Sequence, residues 1–478
     1  MLFNSLAFAV FLPVVFLLYW FVFNRNLKGQ NLFVVAASYF FYAWWDWRFL
    51  FLVIFTSLCT YGAGILIGKY RETPRKAKAV HVANIVVNLL VLGVFKYYDF
   101  FASSFADAFL GGKADGLLLH LVLPVGISFY TFKALSYTID VYRGKMEPTR
   151  DIVVLAAYVA FFPQLLAGPI ERATALIPQF EKPRTFEYET GVDGLRQILW
   201  GLFKKMVIAD NCAVYVDRVF STYPTQAGST LLLAAVLYTF QIYGDFSGYS
   251  DIAIGCSRLF GIRLMQNFAF PFFARDIAEF WRRWHISLTT WFRDYLYIPL
   301  GGSRCGAWKR VRNTFAIFLV SGLWHGANWT FIIWGALHAV LFLPLLLGGR
   351  NRLNLDVVAE DRALPNLREL GAMLRTFFFV LLGWPFFRAR SIGETCRWLR
   401  DMVDVRTFGA VHNLPRETAV AAVAVVALLA VEWFNRREAF GCARLPRATA
   451  LRWGAYFLIL WLVVFYTPGS QTFIYFQF

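Results

Sequence analysis

Two histidines, His285 in "WRRWHIS" and His325 in "LWHGANW", stand 40 residues apart in surroundings where an ionisable ring is expensive. His325 and His338 both fall in "FLVSGLWHGANWTFIIWGALHAV", Phe318 to Val340, a stretch apolar and long enough to cross a membrane. On insertion scales, a charge at the bilayer centre costs about 2.5–3.5 kcal/mol. An imidazole titrates near neutral pH, and apolar surroundings favour its neutral form, the form a general base requires. The same ring could instead hydrogen-bond between helices, and the residues alone leave both roles open for His325. Ser321, Gly322, Gly326 and Asn328 flank it, small or polar neighbours that let a second backbone or a ligand come close. His338 lies about 220° further round an ideal helix, so a shared face is not expected. With no H-E-x-x-H, no C-x-x-C and six scattered cysteines, neither a metal site nor a disulfide framework is expected.

A second polar cluster is "FQIYGDFSGYSDIAIG", Phe240 to Gly255, with Gln241, Asp245, Ser247, Ser250 and Asp251. Carboxylates in an apolar block must be paired, hydrated or in use. Asp245 and Asp251 would diverge by about 120° on a regular helix. Gly244 and Gly248 leave that regularity open.

The elements that must position these residues follow from composition. Of 478 residues 58% are hydrophobic and 16% charged, where a soluble domain shows roughly 25% charged. The apolar residues come in blocks, among them 6–23, 49–68, 230–260, 313–330, 331–347 and 417–433. The chain therefore reads as an all-α polytopic membrane protein, with about 11 transmembrane helices plus re-entrant and interfacial segments around a central tunnel. The whole length forms one membrane domain: N-terminal helices over 1–115, a motif-bearing core over 116–347 and C-terminal helices over 348–478. The first block is expected to be a retained helix rather than a signal peptide, since no basic region precedes it. The net charge of +17 concentrates in short turns such as Lys69 to Lys78 and Arg304 to Arg312. By the positive-inside rule these turns are cytoplasmic and the N-terminus is periplasmic. Nucleic acid is not required to explain them.

Three segments should depart from simple spans. "LPVGISFYTF" and "FFPQLLAGPI" carry Pro and Gly inside apolar runs, which fits broken helices packed in protein. In "FWRRWHISLTTWFRDYLY", Phe280 to Tyr297, the residues Trp281, Trp284, His285, Leu288, Trp291, Phe292 and Tyr295 share one face of a helix. Arg282, Arg283, Ser287, Arg293 and Asp294 lie off that face, so an interfacial amphipathic helix is expected.

The two broken segments, the 240–255 block, "EFWRRWHISLTTWFRDYLYIPLGG" and "SGLWHGANWTFIIWGALHA" together resemble the membrane-bound O-acyltransferase family, in its bacterial alginate O-acetyltransferase branch. The resemblance runs from the opening "MLFNSLAFAVFLPVVFLLYW" to the closing "FIYFQF". It implies that His325 matches the family's essential histidine and His285 its second polar residue, the two meeting in a tunnel through the membrane. His338 matches no essential position.

The reaction implied is O-acetyl transfer from cytoplasmic acetyl-CoA, a substrate rather than a bound cofactor, with His325 as general base and His285 orienting or polarising a reacting group. Asp245, Ser247, Asp251, Asn328 and Trp324 would line the tunnel. Arg282, Arg283, Arg304, Lys309 and Arg310 would face the CoA phosphates, or else lipid headgroups. The family implies an inner-membrane location and a periplasmic or membrane-anchored SGNH-like partner that acetylates an exported polysaccharide, alginate first among candidates and cellulose or peptidoglycan behind it. A transporter of an acylated carrier, an export-complex scaffold, and a relative using another acyl donor are the rival readings.

Overall fold

The structure is a computed structural model that describes residues 1–112, 116–411, 414–446, 448–469 and 473–474. Its regular structure is helical, with no strand among the described residues. Among the described residues, five helical stretches, Leu27–Lys69, Pro74–Phe109, Trp329–Leu347, Leu367–Arg388 and Arg416–Phe434, are long and apolar enough to cross a membrane. Their length and composition match the need to bury every backbone polar group within the segment itself. Two compact units emerge, one of Met1–Gly194 with Cys256–Met265, the other of Leu195–Gly255 with Gln266–Phe478.

In the first unit, the segments expected to be broken are broken. The Ile127–Tyr142 helix starts only after Gly126, which sits in the left-handed region at φ 75°. A Cβ there would lie 2.5 Å from the Leu165 carbonyl oxygen, so glycine is needed for both the turn and the approach. The Ile152–Ala160 helix ends at Phe161, whose non-helical backbone (φ −48°, ψ 111°) separates it from Phe162–Leu165.

The second unit contains both histidine-bearing segments. The Phe318 to Val340 stretch divides between two helices, as the separate blocks 313–330 and 331–347 suggest, Ala307–His325 and Trp329–Leu347, joined at Gly326 to Asn328. Their backbones approach closely: a Cβ on Gly322 would stand 2.2 Å from the Phe331 carbonyl oxygen, and one on Gly335 2.2 Å from that of Phe318. Small residues at such a crossing permit the packing on which membrane helices depend. His325 is thus the last residue of a helix rather than a mid-span residue.

The amphipathic helix expected over 280–297 also divides. Ile277–Arg283 ends at the extended Trp284, His285 takes a left-handed conformation at φ 45°, and Ile286–Phe292 begins anew before a π-helical turn at Arg293–Tyr297. Ser287, placed by the helical spacing on the polar side, is fully buried. The helical period restarts at His285, yet Leu288, Trp291 and Phe292 are buried and Arg293 is exposed as the spacing predicts, so Ser287 is the residue it misplaces. Non-glycine residues in this region cost of order 1–3 kcal/mol and persist only where the surroundings hold them.

Candidate active site

The elbow at His285 is held from one side by the extended segment after Gln266. Ala269 N–H donates to the Arg283 carbonyl and Ile286 N–H to the Asn267 carbonyl, both at 2.9 Å. The Asn267 side chain adds three contacts through its Oδ1, with His285 Nδ1 at 3.1 Å, Ser287 Oγ at 2.8 Å and Ser287 N–H at 3.3 Å. Its Nδ2 donates to Ser250 Oγ at 3.0 Å. His285 Nε2 is buried and has no hydrogen-bond partner among the described residues.

His325 is brought to the same place by the end of its own helix. Its ring centroid lies 6.5 Å from that of His285. Trp324 packs against both rings, at 5.0 Å from His325 and 5.8 Å from His285. Trp334 and Phe387 each stand 5.2 Å from His325. Both histidines are nearly sealed, at 1% and 4% exposure, so an acid–base group here works in a low-dielectric, aromatic-walled environment where polar interactions are strong. A centroid separation of 6.5 Å is too long for a direct hydrogen bond between the rings. No group of three or more His, Cys, Asp or Glu among the described residues could hold a metal ion.

The carboxylates of the 240–255 block are paired. The Gly228–Leu259 helix is continuous, and the lysines that meet it come from the π-helical turn Phe203–Ala209. Lys204 Nζ lies 2.6 Å from Asp251 Oδ2 and donates to Ser247 Oγ at 2.9 Å. Lys205 Nζ lies 2.7 Å from Asp245 Oδ1 and 2.8 Å from Asp210 Oδ1. Gln197 Nε2 completes Asp251, and the Tyr243 hydroxyl donates to Glu432 at 2.7 Å. Gly248 allows the approach, since a Cβ there would meet the Gly201 carbonyl oxygen at 2.7 Å. The candidates Asp245, Ser247 and Asp251 are therefore committed to lysines, and Asn328 caps the Trp329–Leu347 helix by accepting from Thr330 N–H. Of the tunnel candidates, Trp324 is the one that contacts both histidine rings.

The basic candidates also divide. Arg282 donates to the Asn351 and Asn354 carbonyls, and Arg283 to Glu279 and the Ala269 carbonyl. Arg304 and Lys309 are exposed and Arg310 is half-buried. His338 is buried, with no hydrogen-bond partner on either nitrogen among the described residues, and is boxed by Trp281 at 5.0 Å and Trp334 at 4.8 Å. Sequence reasoning missed Asn267, Lys204, Lys205 and Trp334. Adjacent lysines inside the apolar run "LFKKMVIA" were a readable signal, because buried aspartates require cations.

Residues 149–350, which include both histidines, match the model of MBOAT, the membrane-bound O-acyltransferase family. The chain is 39% identical over 459 residues to a probable alginate O-acetylase AlgI of Pseudomonas aeruginosa, covering 94% of this chain and 85% of that protein. It is 36% identical to a peptidoglycan O-acetyltransferase of Helicobacter pylori, covering 86% and 81% of the two chains. A teichoic acid D-alanyltransferase of Bacillus subtilis is 31% identical over 46% of this chain and 58% of its own. The chain belongs to the membrane-bound O-acyltransferase family and is an O-acyltransferase of the membrane.

Proposed function

We propose that this protein takes acetyl groups from cytoplasmic acetyl-CoA and passes them across the inner membrane for O-acetylation of an exported polysaccharide, alginate being the first choice. The observation that carries this reading is the pair of sealed imidazoles, His285 and His325, with ring centroids 6.5 Å apart in an aromatic enclosure. Acyl transfer to a hydroxyl needs one group to take the hydroxyl proton and another to face the thioester carbonyl, and two neutral histidines supply both. His325 is the general base expected from the sequence, with His285 orienting or polarising a reacting group. The likeness over most of the chain to proteins named for alginate and peptidoglycan O-acetylation favours acetyl as the group moved.

About 11 transmembrane helices and a central tunnel would let donor and acceptor enter from opposite faces. The N-terminus is then periplasmic, and Arg304, Lys309 and Arg310 are the cations left to meet CoA phosphates. An SGNH-like partner beyond the membrane would receive the acetyl group.

The test is acetyl-CoA consumption by the purified protein in nanodiscs with a hydroxyl acceptor, wild type against His325→Ala. Turnover lost only in the variant, at equal folding, supports the reading. Equal CoA release by both, or none by either with the partner supplied, would move the transporter or scaffold forward.

A further inference from the structure

We infer that a basic crevice in the first compact unit binds the phosphate of an anionic phospholipid. The crevice has a volume of about 230 Å3 and lies among Gln179, Lys182, Arg184, Phe186, Arg258 and Arg263. That is several times the share of about 30 Å3 taken by one water molecule. None of these residues belongs to the unit that carries the two histidines, so the site stands whether or not acetyl-CoA is the acyl donor.

Charge is the first observation. Four cations, Lys182, Arg184, Arg258 and Arg263, meet two carboxylates, Asp193 paired with Arg258 and Glu187 reaching Arg263 at 3.9 Å. Arg184 is left with neutral acceptors. Its Nε and Nη2 donate to Gln30 Oε1 at 3.2 and 2.9 Å, and Nη2 also donates to Asn31 Oδ1 at 2.6 Å. Those amides are fixed in turn, because Asn31 Nδ2 donates to the Phe180 carbonyl at 2.8 Å and Gln30 Nε2 to the Tyr19 carbonyl at 3.4 Å. The guanidinium is thus held in place while its charge goes unmatched, and a charge drawn away from bulk water calls for an anion. Gln179 fixes the chain at Arg263 from both sides, accepting from its N–H at 2.8 Å and donating to its carbonyl at 3.0 Å. Lys182 is exposed.

A fixed guanidinium beside mobile cations suits phosphate oxygens, which a phospholipid or a nucleotide such as CoA could supply. Position favours the lipid. The crevice adjoins the end of the apolar stretch Leu6–Val22, where the Tyr19 hydroxyl donates to the Phe260 carbonyl and the Trp20 indole to the Leu259 carbonyl, both at 2.9 Å. Along that stretch Val10, Val14, Leu17 and Phe21, spaced at helical intervals, expose an apolar face. The Phe186 ring continues it into the crevice, 5.7 Å from both Phe16 and Trp20. Acyl chains lie along such a face, while aromatic rings and cations meet the headgroup. CoA shares the phosphate but has no long chain to cover the face.

The test is thermal unfolding of the full chain in detergent, titrated with dioleoylphosphatidylglycerol, dioleoylphosphatidylcholine or CoA. Phosphatidylglycerol should stabilise at a concentration about 10-fold or more below that of phosphatidylcholine. Arg184→Gln would also release Gln30 and Asn31, so the exposed cations are the ones to replace. Lys182→Gln with Arg263→Gln should weaken the phosphatidylglycerol response about 10-fold or more. Arg25→Gln with Lys28→Gln removes two exposed charges just beyond the same helical stretch, outside the crevice, and should change that response less than about 3-fold. Equal losses in the two double variants, or no preference for phosphatidylglycerol, overturn the site. Any stabilisation by CoA should survive Lys182→Gln with Arg263→Gln. A CoA response lost in that variant, with phosphatidylglycerol inert, assigns the crevice to a nucleotide phosphate and overturns the lipid assignment.

Discussion

Lys205→Met keeps the aliphatic stem of the side chain and removes the charge that two buried carboxylates share. Its ammonium lies 2.8 Å from Asp210 and 2.7 Å from Asp245, and none of the three side chains is more than 4% exposed. Removing one partner of a buried pair costs about 3–5 kcal/mol, because the other charge stays behind without compensation. Asp245 would keep the Ile474 N–H at 2.6 Å. Asp210 has no such reserve, its Oδ2 already lacking a hydrogen-bond partner among the described residues. The upper half of the range is therefore expected, a fall in melting temperature of order 10 °C at about 2–4 °C per kcal/mol. Function should suffer too, since Phe246, next to Asp245, packs edge-on against the His285 ring at 4.6 Å. The assay is thermal unfolding followed by tryptophan fluorescence in detergent, for Lys205→Met alone and with Asp210→Asn added. The second substitution should recover at least about 2 kcal/mol, because an amide replaces an unpaired charge. A single variant that melts within about 1 °C of wild type, or a double variant no better than the single, would refute the electrostatic account.

Gly322→Ala forces a methyl to within 2.2 Å of the Phe331 carbonyl oxygen; thermal unfolding should show a loss of about 1–3 kcal/mol, and turnover should fall up to 100-fold as His325 shifts by about 1 Å. His338→Leu replaces a buried ring with two unpartnered nitrogens, so stability should hold or rise and acetyl-CoA turnover should stay within a few-fold of wild type; a 100-fold loss would give His338 a functional part. The Arg275 guanidinium hydrogen-bonds the Asp356 carboxylate and holds it below the ordinary range. Its contribution is accordingly present above about pH 4 and lost as pH falls through the depressed value. At 58% exposure, Asp356→Asn should cost under about 1 kcal/mol in thermal melts at pH 7, and progressively less as pH falls below about 4. Arg275→Ala should cost more, because Glu279, 1% exposed, loses the same guanidinium.

The sequence by itself determined that this is a helical membrane protein, which family it belongs to and which two histidines to watch. Those facts depend on local composition and residue order: apolar blocks set by bilayer thickness, and motifs preserved as contiguous strings. It also required that Asp245 and Asp251 be paired, hydrated or in use, because the cost of a buried carboxylate is independent of fold. Only the tertiary structure decided that they are paired, and with what. Lys204 and Lys205 are some 40 residues away along the chain and arrive through a π-helical turn that no hydrophobic period announces. The same holds for the elbow at His285. Spacing predicts a continuous helix there, whereas hydrogen bonds from the segment around Asn267 hold a left-handed residue that local preference disfavours. Long-range contacts of this kind determine which ring His325 faces. Their energies exceed the local propensities from which a sequence is read.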